Sequence, residues 1–279
     1  MSTVPALTKK LRSVRAAGKL SGAMKTVSAA KFSRLSSLNK YYSRYAEQYA
    51  FVCGTADPAA EAETVVVFGS NRGFCGSFNT AVVQFLTDEV LSRGTPAHLI
   101  VCGEEMIRAV RAAGLVPEHT FTFPDLPSFE DCAGLCSLLG SLAEERTDYP
   151  VRLVRPFFKN TMTQIPGEEL LLLRPTAGPD SRDSCDSCDG VFWLPDRETF
   201  LRTAAEEGFR ALIFRAVTQT ALGAQAATLM TMRSAYDTAS EYTARLEGEI
   251  HRQRQRAVTA DVLETASERG SKGDSSYGT

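Results

Sequence analysis

Two long stretches without proline, one near each end of the chain, constrain the fold more than any other feature of the sequence. Residues 7–52 and 197–267 contain no proline, the residue that interrupts helices most strongly. In both stretches apolar residues recur at alternating intervals of three and four, which is the seam of a coiled coil. At about 1.5 Å per residue the two helices would be about 70 and about 100 Å long. One apolar seam on each helix predicts an antiparallel coiled coil between the two chain ends.

Small residues lie near the middle of both seams. The first seam consists of Leu7, Leu11 and Val14, then Leu35, Leu38, Tyr42, Tyr45, Tyr49 and Val52; the second consists of Met232, Tyr236, Ala239, Thr243, Leu246 and Ile250. The small residues are Ser21, Gly22, Ala23, Ser28, Ala29 and Ala30 in the first helix, and Ala221, Gly223, Ala224, Ala226 and Ala227 in the second. Because small side chains let helices approach closely, they predict a thin coiled coil that fits inside a larger assembly.

The middle of the chain alternates between strand and helix patterns. Thr64–Phe68 is a β-branched run followed by Gly69, which is typical of a buried parallel strand. The other predicted elements are a strand at 97–102, helices at 79–92 and 104–113, and strands at 151–158 and 168–173. Pro156 would place the strand 151–158 at the edge of the sheet, because proline has no backbone N–H to donate to a neighbour. Strand and helix alternation predicts a small doubly wound sheet.

Together these patterns predict an α/β protein with a long antiparallel coiled coil of N- and C-terminal helices plus a small doubly wound Rossmann-like domain. The predicted boundaries are 1–55 for the N-terminal helix, 62–178 for the Rossmann-like domain, 192–268 for the C-terminal helix and 269–279 for a tail. The tail is polar and glycine-rich, so we expect it to be disordered.

Charge is distributed unevenly along the chain. The net charge is −2, yet residues 1–50 contain ten basic residues and Glu47 as the single acidic one. Such a basic arm is expected to contact an acidic partner surface. Tyrosines within the arm would also suit nucleic acid, but they lie on the coiled-coil seam and packing explains them first. We therefore predict no nucleic-acid partner.

The lack of a recognisable targeting signal and the pattern of cysteines both favour a location in the cytoplasm of a bacterium. No window approaches the roughly 18 apolar residues that a membrane-spanning helix needs. The N-terminal sequence MSTVPALTKK lacks the apolar core of a signal peptide. The seven cysteines are odd in number and scattered, which makes a poor disulfide framework and predicts reduced thiols.

A glycine-rich segment at 69–79, GSNRGFCGSFN, follows the first predicted strand, where a phosphate-binding loop would lie. It lacks the Lys-Ser/Thr pair of a P-loop and the G-x-G-x-x-G spacing of a dinucleotide site. A tight turn that needs glycine backbone angles, or a loop that binds a partner, is the favoured interpretation. We predict no cofactor here.

Other reactive side chains do not form a recognisable site. His98, His119 and His251 are too far apart in sequence to suggest a metal cluster, and His98 is expected to be a packed core residue. No metal or catalytic residues are predicted.

Cys185 and Cys188 have the C-x-x-C spacing of a redox or half-zinc site. Because the aspartates around this pair would raise the thiol pKa values, an accidental exposed pair is favoured over a redox switch.

Four motifs follow one another along the chain: LSGAMKTVSAAK at 20–31, the loop GSNRGFCGSFN at 69–79, FKNTMTQIP at 158–166 and RQRQRAVTADVLE at 252–264. In this order they resemble the motifs of the gamma subunit of bacterial F-type ATP synthases. The motifs lie on the predicted helix, loop, strand and helix respectively, and the resemblance extends over almost the whole chain.

The resemblance implies the central shaft of a rotary motor without a catalytic site of its own. The implied partners are a ring of alpha and beta subunits, the epsilon subunit and the membrane c-ring, with peripheral association at the cytoplasmic face of the bacterial membrane. Ion flow would turn the shaft, and the face it presents to each beta subunit would select that subunit's conformation. By residue-wise matching, the implied partner-contact residues are Met24, Lys25, Arg72, Gly73, Cys75, Gly76, Asn79, Arg254, Gln255, Thr259 and Glu264.

The sequence also departs from the family pattern. The stretch before the first strand is short, and Thr228 stands where many relatives have arginine. Cys185 and Cys188 fall near the place where chloroplast gamma subunits carry a redox-regulatory insertion, although the insertion itself is missing. Two alternatives stay open: a scaffold with coiled-coil arms that binds another assembly, and a thiol oxidoreductase built on the C-x-x-C pair.

Overall fold

The computed structural model describes residues 4–49, 64–94, 96–142, 150–172 and 196–273. Two helices are much longer than the rest, the N-terminal α1 with 46 residues and the C-terminal α5 with 77. The helices are α1 Val4–Tyr49, α2 Phe78–Phe85, α3 Glu104–Ala112, α4 Ala133–Leu142 and α5 Arg197–Gly273, and the strands are β1 Thr64–Phe68, β2 His98–Cys102, β3 His119–Phe121, β4 Pro150–Phe158 and β5 Gln164–Leu172. The described part of the chain contains no helix with an apolar stretch long enough to cross a membrane.

The five strands form one sheet in the order β3-β2-β1-β4-β5. The first four are parallel to one another, and β5 is antiparallel to β4. Connections between the parallel strands contain helices, as a doubly wound sheet requires. The fold class predicted from the sequence is confirmed.

One prediction about the sheet is wrong, because β4 is not an edge strand. It pairs with β1 on one side and with β5 on the other. The ladder with β1 ends at Val154, two residues before Pro156. On the other side Pro156 lies opposite Pro166, and neither proline has an N–H to donate. The proline is therefore tolerated inside the sheet because no neighbouring strand needs its N–H.

Hydrophobic cores form on both faces of the sheet because alternate residues of each strand point to opposite faces. Val66 and Phe68 of β1 belong to a core that contains α4 and the first part of α5, whereas Val65 and Val67 belong to a core with α2 and α3. Since both faces are covered, the β1 sequence TVVVF is buried at every position.

The chain divides into two compact units, Met1–Lys25 with Met232–Thr279, named here the coil unit, and Thr26–Thr231, named the sheet unit. In the coil unit Leu7 and Leu11 of α1 pack against Leu246 and Ile250 of α5. Further along α1, Gly22 lies against the earlier α5 residue Tyr236. The two helices are therefore antiparallel, as predicted.

The close approach of α1 and α5 in the coil unit depends on glycine residues. A Cβ atom added at Gly18 would lie 3.2 Å from the Cβ of Ala239, and one added at Gly22 would lie 3.2 Å from the Tyr236 ring. These distances are tighter than ordinary van der Waals contact, so the small residues do bring the helices close together. Gly248 of α5 has no atom within 4 Å of such a Cβ and is not needed for the contact.

The small residues of α5 near position 223 have a different role from the one predicted. In the sheet unit a Cβ added at Gly223 would lie 3.1 Å from the ring of Phe78, the first residue of α2. Ala224 packs in the same cluster with Phe78 and Cys75. This part of the small-residue row makes room for the start of α2, a contact that helical periodicity does not reveal.

The tyrosines predicted to lie on the α1 seam form an aromatic cluster in the sheet unit. The Tyr42 ring lies edge-on to Phe214 of α5 at 4.5 Å and stacked with Phe129 at 6.2 Å. The Tyr45 hydroxyl lies 3.2 Å from a carboxylate oxygen of Glu207 on α5. Packing therefore accounts for Tyr42 and Tyr45, and a nucleic-acid interface is not needed to explain them.

The prediction that His98 is a core residue is wrong. His98 is the first residue of β2, its side chain is 28% exposed, and its Nδ1 atom lies 2.7 Å from Glu118. The register of the parallel strands explains this, because the β2–β3 ladder begins only at Ile100 and leaves the start of β2 uncovered on that side. In the C-terminal direction, α5 continues over 269–273, residues that the sequence analysis assigned to the tail.

The glycine contacts in the coil unit predict opposite effects for one substitution at two sites. Gly18→Leu should lower the free energy of unfolding by about 1–3 kcal/mol because the added side chain overpacks the contact with Ala239. Gly248→Leu should raise it by up to about 1 kcal/mol, since leucine is the better helix former and nothing surrounds the site. Urea unfolding followed by circular dichroism measures both variants. Equal destabilisation by both would contradict the close helix contact.

The His98–Glu118 contact predicts a dependence on pH. The hydrogen bond from His98 holds the pKa of Glu118 below its usual value. A carboxyl group with a lowered pKa adds stability above its unfolded pKa and loses that contribution as the pH falls through its folded pKa. In the His98→Gln variant the Glu118 pKa should rise towards its usual value, which a carboxyl ¹³C NMR titration measures. An unchanged Glu118 titration would show that the contact does not form in solution.

Candidate partner-contact site

The glycine-rich loop that follows β1 is held by a buried hydrogen-bond network. The backbone N–H of Ser70 donates to Oδ1 of Asn79 at 3.0 Å, and Nδ2 of Asn79 donates to the Ser70 hydroxyl at 2.7 Å. The thiol of Cys75 lies 3.4 Å from the same hydroxyl. Ser70, Cys75 and Asn79 are all buried. The side chains of Cys75 and Asn79, both predicted to contact a partner, are therefore buried and hold the loop from inside.

The glycines of the loop differ in what prevents a larger residue from replacing them. Gly69 needs space, since an added Cβ would lie 2.6 Å from Cβ of Met106 and 2.8 Å from Oδ1 of Asn79. Gly76 has φ of 61°, in the left-handed region that glycine adopts without strain. Gly73 has neither restriction, with no atom within 4 Å of an added Cβ.

Phe74, between Gly73 and Cys75, is the non-glycine residue with positive φ, at 63°, in the described part of the chain. Its side chain is 68% exposed. A bulky residue in this region costs on the order of 1–3 kcal/mol, and such strain often marks functional positions. Phe74 was not singled out from the sequence, where its position within a glycine turn gave no sign of strain.

Arg72 presents its guanidinium at the surface of the loop. Its side chain is 67% exposed, and its Nε atom lies 3.1 Å from Oδ2 of Asp125. Lys31 of α1 forms an ion pair with the same carboxylate oxygen. Neither Lys31 nor Asp125 was predicted, since the two are 94 residues apart in sequence.

Met24 and Lys25 lie on α1 in the coil unit and are half-buried. The Lys25 ammonium lies 4.5 Å from the centre of the Tyr236 ring of α5, a cation–π contact. The contact fixes the lysine stem along the coil while its charge stays near the surface.

Arg254, Gln255, Thr259 and Glu264 lie on α5 beyond Ile250, where the cluster with α1 ends, and all four are exposed. The Thr259 hydroxyl donates to the backbone carbonyl of Gln255 at 2.9 Å. Apolar side chains on this segment are exposed as well: Val258 61%, Val262 61% and Leu263 65%. Exposed apolar side chains beside exposed charges on one helix are typical of a surface that contacts another protein.

Few of the residues that the structure describes are suited to redox or metal chemistry. Among the described residues no group of three His, Cys, Asp or Glu side chains could hold a metal ion. Burial raises the pKa of the Cys136 thiol to about 11 and raises that of Cys102 well above its usual value, which leaves both thiols unreactive. Cys185 and Cys188, the pair for which a redox switch was the less favoured interpretation, lie outside the described residues.

Comparison with known proteins identifies similar sequences along nearly the whole chain. A family model described as ATP synthase matches residues 3–267. The ATP synthase gamma chain of Rubrobacter xylanophilus is 27% identical over 282 residues, covering 95% of this chain and 97% of that protein. The ATP synthase gamma chain of Granulibacter bethesdensis is 26% identical over 293 residues, covering 96% and 98%.

Solved structures with the same fold come from mitochondrial ATP synthases. A chain of the Euglena gracilis enzyme, in its OSCP/F1/c-ring structure, has a TM-score of 0.72 at 15% identity and covers 99% of this chain and 96% of its own length. A chain from the central stalk and c-ring of the Tetrahymena thermophila enzyme has a TM-score of 0.56 at 17% identity, covering 77% and 99%. At these identities the likeness concerns the fold.

The buried network in the loop predicts that Asn79→Ala lowers the free energy of unfolding by about 1–3 kcal/mol, because the buried N–H of Ser70 loses its acceptor and the Ser70 hydroxyl loses one donor. Hydrogen exchange at the Ser70 amide should accelerate at the same time. Thr80→Ala, at the exposed next position of α2, is the matched control and should change neither quantity. The same loss of stability in both variants would show that the amide of Asn79 does not hold the loop.

Proposed function

The chain belongs to the ATP synthase gamma chain family, and from this premise we propose that it is the central rotor shaft of a bacterial F-type ATP synthase. In this role it couples the ion-driven turning of the membrane c-ring to ATP synthesis or hydrolysis at sites formed by the alpha and beta subunits. The observation that carries the proposal is the antiparallel pairing of α1 and α5 in the coil unit, together with a family match from residue 3 to 267.

Close packing in the coil unit supports a thin shaft. A Cβ added at Gly18 or Gly22 would lie only 3.2 Å from atoms of the facing helix. A pair of helices in contact bends less than either helix alone, so turning one end turns the other. A thin, stiff pair is what a shaft needs if it is to rotate inside a ring of subunits without jamming.

The terminal segment of α5 supports contacts with that ring. Arg254, Gln255, Thr259 and Glu264 are exposed and polar or charged, and they are interspersed with exposed apolar residues. Contacts of mixed character are individually weak, so they bias a beta subunit towards one conformation without holding the shaft in place. A ligand or surface shifts such an equilibrium only through its different affinities for the two states.

Exposed basic residues on α1 support the proposal that the chain contacts an acidic surface of its partners. Lys9, Lys10, Arg12 and Lys19 are exposed on the coil unit. Arg15 is paired with Glu247 of α5, and Lys10 lies over the Tyr242 ring. Most of the positive charge therefore faces outward, where it attracts an acidic segment of the surrounding subunits.

The chain has no catalytic site of its own in this proposal. Nucleotides are bound and converted by the alpha and beta subunits, and the chain acts by the surface it presents. It lies at the cytoplasmic face of the cell membrane through its binding to the c-ring and the epsilon subunit. Exposed Phe74 and Arg72 on the β1–α2 loop are part of its partner-contact surface.

Purification of a tagged chain from its own cells tests the proposal. The tagged chain should bring down alpha, beta, epsilon and c subunits with ATPase activity, and the Gly18→Leu variant should bring down less of the ring. Recovery of an assembly without alpha and beta subunits would support the alternative of a scaffold. Disulfide-reductase activity of the isolated chain, lost in Cys188→Ser, would support the thiol oxidoreductase.

The α5 surface predicts the behaviour of a double variant. Arg254→Ala with Gln255→Ala should lower the ATPase activity of the purified complex about ten-fold, because the loss of about 1–2 kcal/mol of contact energy weakens the bias on the beta subunits. Arg202→Ala, at an exposed position near the start of α5, is the control and should leave the activity unchanged. Full activity in the double variant would remove these residues from the contact surface.

A further inference from the structure

We propose that a cleft of the sheet unit, at the carboxyl ends of β1 and β2, binds a small organic carboxylate. The proposal goes beyond the rotor role and does not depend on it. The cleft lies between the residues that follow β1 and β2, the loop after β3 and one face of α5. The carboxyl ends of parallel strands are where open α/β sheets usually bind ligands.

The cleft is small. Its cavity volume is about 40 Å³, and because one water molecule needs about 10–15 Å³ it has room for about three of them. A nucleotide would not fit. A carboxylate with about two or three carbon atoms would, if its charged end remains at the mouth of the cleft.

Apolar groups form the inner wall. Phe68 of β1 lies on one side, and Val217, Ala221 and Ala224 of α5 lie on the other. Phe68 and Val217 are also buried members of the adjoining hydrophobic core, so the wall is held in place. This wall offers a hydrocarbon chain an apolar surface away from water.

Two cations share one anion, Asp125, which lines the cleft together with Arg72. Lys31 and Arg72 both contact the same oxygen, Oδ2, of Asp125. The cluster of three side chains therefore carries a net positive charge. Arg72 uses its Nε atom for this contact, at 3.1 Å, and its terminal nitrogens form no hydrogen bond within the described residues. A guanidinium fork of this kind binds a carboxylate through two parallel hydrogen bonds.

A side-chain amide provides the second polar contact. Gln225 of α5 lines the cleft, and the residue as a whole is 9% exposed. Its side-chain amide forms no hydrogen bond with any group in the part of the chain that the structure describes, and its two amide atoms are not fully buried there. The NH₂ group of Gln225 is thus available to donate to an oxygen of the bound carboxylate.

The loops around the cleft are fixed before any ligand binds. The side chain of Asn71 donates to the backbone carbonyl of Phe123 and accepts from the backbone N–H of Glu104 at 3.3 Å. This one side chain joins the loop after β1 to the loop after β3 and to the start of α3. The backbone of the neighbouring Arg72 is anchored as well, because its carbonyl accepts a hydrogen bond from the Ser70 hydroxyl at 2.9 Å. Its guanidinium is held by Asp125 through Nε, which leaves the terminal nitrogens for a ligand.

Titration of the full-length chain with propionate, followed by saturation-transfer difference NMR, tests the proposal. Propionamide, which has the same shape without the charge, should bind at least about five-fold more weakly. Inorganic phosphate, which matches the cations but not the apolar wall, should also bind more weakly. Arg72→Gln and Gln225→Leu should each weaken propionate binding about five-fold or more, with unchanged circular dichroism.

Two further variants distinguish propionate binding in the cleft from nonspecific attraction to positive surface charge. Ala221→Met fills the cleft without changing any charge and should abolish the propionate signal. Arg111→Gln removes an exposed cation at the end of α3, away from the cleft, and should leave binding unchanged. The proposal is overturned if Ala221→Met binds propionate normally, if propionamide or phosphate binds as tightly as propionate, or if Arg111→Gln weakens binding as much as Arg72→Gln.

Discussion

Contact between the two terminal helices across Gly18 and Gly22 is the constraint on which the coil unit depends. With no Cβ at these positions, the backbone of α1 lies directly against Ala239 and Tyr236 of α5. Larger side chains would separate the helices and widen the pair. Leucine and isoleucine pack between the helices further from this point and contribute most of the buried apolar area. Small residues therefore decide how thin the pair is, and the large ones supply its stability.

In the sheet unit the same helix α5 makes contacts of a different kind. Gly223 and Ala224 make room for Phe78 at the start of α2, and Phe214 completes an aromatic cluster with Tyr42 of α1. The loop that precedes α2 is held by Asn79 and Ser70, which leaves Arg72 and the strained Phe74 at the surface. A firmly held loop that exposes an arginine and an aromatic ring is well suited to contact a partner, because little conformational freedom is lost on binding.

Much of this structure could be predicted from the sequence because periodicity is a local property. The terminal helices and the buried strand Thr64–Phe68 both follow from local patterns. The internal position of β4 could not be predicted, since it depends on where the ladder with β1 ends relative to Pro156. The exposure of His98 likewise depends on the strand register. The cluster of Lys31, Arg72 and Asp125 joins distant segments of the chain, and single-sequence patterns carry no signal for such contacts.

Direct observation of rotation tests the central claim that this chain is a rotor shaft. A fluorescent probe is attached through a cysteine introduced at Thr80 of the sheet unit, in a complex whose alpha and beta subunits are fixed to a surface. The account predicts that the probe turns in one direction when ATP is added and stops when ATP is removed. A probe that stays still while the same complex hydrolyses ATP would contradict it.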